Sequence, residues 1–137
     1  MNETENTADV ALDIYEMAFD LFDRGIVDQA ELMFQSLTYL EPEWQDAWVG
    51  YGICLRVQGK LDAAQVAFDT ARTLAPTDST VMFHRCELAC AQRDWAGAYA
   101  EAQDFLALQD KGKPVAGHLE MAQLVDFLQS RVTNVSA

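Results

Sequence analysis

Positive charge is what this sequence has least of. Its 137 residues carry 9 Lys and Arg against 22 Asp and Glu, a formal net charge of −13. Nucleic acid and anionic membrane surfaces are bound through basic patches, so neither is an expected partner. No apolar run approaches the roughly 18 to 20 residues that a bilayer span needs. The start, Met1-Asn-Glu-Thr-Glu-Asn-Thr7, is acidic where a secretory signal is basic and then apolar. The expectation is a soluble, cytoplasmic protein without stable membrane binding. Cysteine is scarce as well: Cys54, Cys86 and Cys90 are odd in number and too few for a disulfide framework. Each lies in a helical pattern beside small or apolar residues, where a free thiol behaves as a small hydrophobe. A metal site would need His84 to join Cys86 and Cys90, yet residues two apart do not share a helix face. With two histidines, no partnered nucleophile and no phosphate loop, the chain offers nothing to assign a catalytic role. No enzyme activity, cofactor or metal is expected.

Strand signals are missing too. There is no sustained alternation of period two and no Asn-Gly or Asp-Gly hairpin turn. What remains is a half-apolar chain, 50% hydrophobic, which is enough to exclude disorder over most of its length. Its charge is placed unevenly. Residues 1–46 hold 12 acids and the single base Arg24, a net of −11, and residues 47–137 net only −2. Such asymmetry suits either solubility or a basic partner.

The chain repeats. Gly25-Ile-Val-Asp-Gln-Ala30-Glu-Leu-Met-Phe34 aligns with Gly59-Lys-Leu-Asp-Ala-Ala64-Gln-Val-Ala-Phe68, and Pro42 with Pro76, all at a spacing of 34. Arg93-Asp94-Trp95-Ala-Gly-Ala98 keeps the register in a weaker third copy, where Ala102 replaces the Phe and Asp110 the Pro. Leu12, Tyr15, Phe19 and Phe22 recur at helical spacing, as do Ala67, Ala71 and Leu74. The prolines fall between helices, and Gly25 and Gly59 sit at the bends within helix pairs. Small residues share repeat positions, Ala18 with Gly52 and Cys86, and Ala30 with Ala64 and Ala98. This marks Gly50-x-Gly52 as close helix packing rather than a nucleotide loop.

A 34-residue period with Trp48, Tyr51-Gly52, Leu55, Gly59, Ala64, Phe68, Ala71 and Pro76 at its motif positions resembles the tetratricopeptide repeat, two antiparallel helices per unit. The implied fold is an all-α solenoid of three helix-turn-helix repeats, 9–42, 43–76 and 77–110. A turn at Lys111-Gly-Lys-Pro114 and a capping helix to residue 132 follow, in which Val115, Leu119, Ala122, Val125 and Leu128 face the stack. Residues 1–8 and 133–137 are expected to be disordered tails.

The first helix has an apolar face to spare. On a wheel of about 100° per residue, Ile14, Met17, Ala18 and Leu21 form a stripe for the partner helix. Leu12, Tyr15, Phe19 and Phe22 form a second, separate one, and Asp13, Glu16, Asp20 and Asp23 a purely acidic third. One apolar stripe suffices for a surface helix. Like-charge neighbours along the acidic stripe each cost the helix about 0.2–0.5 kcal/mol.

Tyr15-x-x-Ala18-Phe19-x-x-Phe22-x-x-Gly25, Gly50-x-Gly52-x-Cys54 and Phe83-His84-x-x-Glu87 are similar to the class II translocator chaperones of bacterial type III secretion. The resemblance implies a non-enzymatic chaperone that keeps hydrophobic, pore-forming translocators soluble before export. It also implies a concave groove for a short extended client segment, with Tyr15, Phe19 and Phe22 as pocket residues and Val49, Ile53 and Phe83 continuing the floor. A carboxylate-clamp cochaperone is disfavoured, since Tyr15, Phe19, Gly50 and His84 stand where that group places Lys, Arg and Asn. Only a short acidic segment precedes the first repeat, which leaves homodimerisation open. A generic repeat scaffold bridging two soluble proteins is the alternative.

Overall fold

The computed structural model describes residues 3–109 and 117–136. These residues are helical almost throughout and contain no strand. In chain order the helices are α1 (Glu3–Asp23), α2 (Val27–Leu40), α3 (Gln45–Val57), α4 (Leu61–Leu74), α5 (Ser79–Ala91), α6 (Trp95–Gln109) and α7 (His118–Ser136). They divide into two compact units, Met1–Leu74 and Ala75–Ala137.

The first unit is two helical hairpins, α1 on α2 and α3 on α4, joined by packing of α2 on α3. Each hairpin turns the same way. Gly25 and Gly59 adopt φ of 80° and 79°, the left-handed region that costs glycine nothing. Gly25 N–H then donates to the Phe22 carbonyl and Ile26 N–H to that of Leu21, both at 2.9 Å, which closes the end of α1. The Gly59 and Lys60 amides repeat the pair on Arg56 and Leu55, again at 2.9 Å.

Burial follows the helical period. Ala30, Phe34, Leu37 and Thr38 are buried along α2, and Ala64, Ala67, Phe68 and Ala71 along α4. In α3, buried residues run around more of the helix, from Ala47 and Val49 to Gly52, Cys54 and Leu55, because it is covered from both sides. Thr38, buried in this core, satisfies its hydroxyl by donating to the Gln35 carbonyl at 2.6 Å. Glu31 on α2 accepts from Gln58 at 2.8 Å and from Lys60 at 2.9 Å, tying α2 to the α3–α4 turn.

The second unit packs α5 on α6 and α6 on α7. Here Arg93 takes the place of the bend glycine at φ 58°, with the same closing bonds, Arg93 N–H to Cys90 and Asp94 N–H to Ala89. Asp94 also caps α6, its carboxylate accepting from Gly97 N–H at 3.0 Å, as Asp78 caps α5 through Thr80 N–H. Ala102 is fully buried where the earlier repeats have a phenylalanine, and Phe105, one turn further on, fills the core. Met121 and Leu128 of α7 join that core, with Val125 packed against it. Arg131 lies 5.0 Å over the Phe127 ring and 5.9 Å from that of Trp95, holding α7 to α6 through aromatic side chains.

Two boundaries differ from expectation. The helix α1 includes residues 3–8, and α7 runs on through residues 133–136, where disordered tails were expected. Extending a helix whose nucleus is already packed adds one hydrogen bond for each residue fixed, so polar composition alone does not stop it. The Thr133 hydroxyl donating to the Gln129 carbonyl at 2.8 Å lies in that extension. The expected turn at Lys111-Gly-Lys-Pro114 and the packing of Val115 and Leu119 fall outside what is described. Met17 also departs from its stripe: Ala18 is fully buried, but Met17 stays 53% exposed.

Candidate functional site

In the first unit, α1 and α3 touch each other directly as well as through α2. The aromatic stripe of α1 runs along this side. Tyr15 lies 4.8 Å from Phe19 between ring centroids, edge to face. Its other neighbours are Trp44, immediately before α3, at 4.7 Å and Phe34 of α2 at 6.0 Å. The Phe19 and Phe34 rings meet edge to face at 5.2 Å. Tyr15, Phe19 and Phe22 are all half-buried against the core built on Ala18, Phe34 and Leu37. The stripe thus has a packed inner edge and an open outer one. Such edge-to-face pairs hold rings in fixed orientation, which favours a shaped surface over a loose patch.

The remaining expected residues fall into different settings. On α3, Ile53 is half-buried, whereas Val49 is only 7% exposed. Phe83 belongs to the second unit, exposed beside the His84 ring with centroids 5.6 Å apart. His84 Nδ1 lies 3.2 Å from a Glu87 carboxylate oxygen. Trp44 and the exposed Leu12 extend the α1 surface toward its N-terminal end. Together with Ala8, Ala11 and Glu41 they line an open, mainly apolar hollow of about 370 Å³. Trp44 carries no repeat signal, because it sits in the inter-hairpin segment.

Burial, and secondarily the nearby Asp46 carboxylate, pushes the Tyr15 phenol above its ordinary value of 10.0, so it remains a neutral hydrogen-bonding group. Burial likewise pushes the thiols of Cys54 and Cys86 up to about 12. Thiols so raised stay protonated near neutral pH. Among the described residues, no three His, Cys, Asp or Glu side chains converge on a cation position. None of the described helices is long and apolar enough to cross a membrane.

No family model matches the sequence, and no curated protein matches it significantly. Solved structures do match its shape. The type III secretion translocator chaperone SycD of Yersinia enterocolitica superposes with a TM-score of 0.84 at 19% identity, over 92% of this chain and 88% of that one. The TPR2B domain of yeast Sti1, in complex with an Hsp70 peptide, gives 0.81 at 12% identity, over 88% and 97%. The fold is that of the tetratricopeptide repeat. Within it, PcrH in complex with the chaperone binding region of PopD gives 0.83 at 21% identity, over 90% of this chain and 94% of that one. At such identities the likeness establishes the repeat fold and its hairpin geometry.

Proposed function

We propose that the chain is a non-enzymatic, cytoplasmic chaperone of bacterial type III secretion, holding a hydrophobic translocator soluble before export. The observation that carries this reading is the aromatic face of α1. Tyr15, Phe19 and Phe22 form an apolar stripe beyond what the hairpin needs, anchored on Phe34 and Trp44 and open on its outer side. Apolar surface packed on one edge and partly open on the other suits a binding site. A short extended client segment lays alternate side chains on it. Each side chain that becomes well buried contributes roughly 1.5–3 kcal/mol before ordering costs. The likeness to SycD, and to PcrH holding a region of PopD, supports the same reading. Phe83, exposed in the second unit, is the candidate for a further contact.

Co-expression with candidate hydrophobic translocators tests this. Tyr15→Ala with Phe19→Ala should abolish the soluble complex. Because both rings also brace Phe34 and Trp44, a thermal melt must show that the variant remains folded. Phe83→Asp alters an exposed ring in the other unit and provides a second test without that structural burden. If both folded variants still hold the client in solution, the reading is wrong.

A generic repeat scaffold is the second reading, favoured by the superposition on the Sti1 domain at a TM-score of 0.81. It predicts binding of a soluble partner that survives loss of the aromatic face.

A further inference from the structure

A second feature of α1 lies away from the aromatic face. Asp13, Glu16, Met17, Asp20, Leu21 and Arg24 line one side of an open depression of about 640 Å³, and Gln29 and Met33 of α2 line the other. Its floor is apolar, formed by Met17, Leu21 and Met33, and Met17 is 53% exposed there. Its rim is acidic, since Asp13, Glu16 and Asp20 are exposed and recur every three to four residues. From Asp13 to Arg24 the depression runs about 17 Å along the helix, the length of about three helical turns. Arg24 at the far end pairs with Asp20 at 3.3 Å, but both are exposed, so the pair yields readily to a better partner.

The chemistry of this depression selects its occupant. A nucleic acid or an anionic membrane would meet only like charge along the rim. A second copy of this chain, itself at −13, would be repelled. A bare metal ion finds no converging ligands, because the carboxylates are strung along one helix edge. An apolar floor with a carboxylate every turn complements a helix that has one apolar stripe flanked by cations. Methionine side chains suit such a floor, since they adapt to differently shaped apolar faces.

We propose that the α1–α2 depression docks a basic amphipathic helix of a partner protein. Its apolar stripe seats on Met17, Leu21 and Met33, and its lysine or arginine side chains face Asp13, Glu16 and Asp20. The site is separate from the aromatic face, so it stands or falls independently of the proposed client.

The probe is a fluorescein-labelled peptide of about 18 residues, lysine and leucine arranged in helical period. Its control is the same composition scrambled to remove the apolar face. Binding is read by fluorescence anisotropy at about 150 mM salt, where diffuse attraction is screened. The amphipathic peptide should bind about tenfold tighter than the scrambled one. That advantage should vanish in Asp13→Lys with Asp20→Lys, and in Met17→Glu, an exposed position that tolerates the change. Reversal of the exposed Asp62 and Asp69 on α4 should change affinity by less than about twofold. Equal binding of the scrambled peptide, equal loss on reversing Asp62 and Asp69, or full binding by Met17→Glu would each overturn the proposal.

Discussion

The ring of Phe34 fills the space that a side chain at Gly50 would need. Phe68, the equivalent of Phe34 in the next repeat, lies equally close over Gly52, 2.5 Å from where its Cβ would stand. Both rings are buried and cannot retreat. Alanine at either glycine gains about 1 kcal/mol of helix propensity, but overpacking against a fixed ring costs about 1–3 kcal/mol. Gly50→Ala and Gly52→Ala should therefore both lower the urea midpoint. Phe34→Leu should soften the penalty of Gly50→Ala in a double-mutant cycle, and a purely additive cycle would show that the ring is not the obstacle.

The third hairpin bend offers the opposite change. Arg93 holds a φ of 58°, where glycine stands in the other two bends. A side chain in the left-handed region costs about 1–2 kcal/mol, and glycine loses some of that gain to chain entropy. Arg93→Gly should raise the thermal midpoint by a few degrees, whereas Gly25→Ala should lower it.

Phe105 carries the packing that Ala102 gave up. Its ring is almost wholly buried with Met82, Cys86 and Leu128. Phe105→Ala should destabilise the chain by about 3–5 kcal/mol. Far-ultraviolet circular dichroism during denaturation would show the shift. A loss under about 1 kcal/mol would mean that α7 does not depend on this core.

The thiols set a pH dependence. Burial raises Cys54 and Cys86 from 9.0 to about 12, and Tyr15 and Tyr51 are raised as well. Between those values the unfolded chain has released protons that the folded chain retains. Stability is therefore flat in these groups below about pH 9 and falls as pH rises toward 12. Urea midpoints measured across that window should decline, and less steeply in Cys54→Ala with Cys86→Ala. With a thiol reagent near pH 8, the partly exposed Cys90 should react first and the other two only on unfolding.

Repetition made much of the fold legible. Ala30, Ala64 and Ala98 recur at one interval and are all fully buried, because identical hairpins impose the same close approach at the same place. Gly25 and Gly59 were readable as bends for the same reason. Arg93 was not, since nothing local marks a non-glycine residue for a left-handed turn that its neighbours' hydrogen bonds enforce. Phe105 was hidden behind Ala102, because a core void can be filled from the next turn of the helix.

The candidate surfaces were half legible. A helical wheel separated the aromatic, acidic and packing stripes of α1, since their angular order follows from 3.6 residues per turn. It could not show that Trp44 and Phe34 clamp Tyr15 and Phe19, that Val49 is buried, or that Met17 opens onto a depression with Met33. Sequence by itself determined the helices, their 34-residue register and the chemical character of each face. Tertiary structure decided which faces remain open, because exposure depends on neighbours brought in from other helices, and no periodicity along one chain segment encodes their distance.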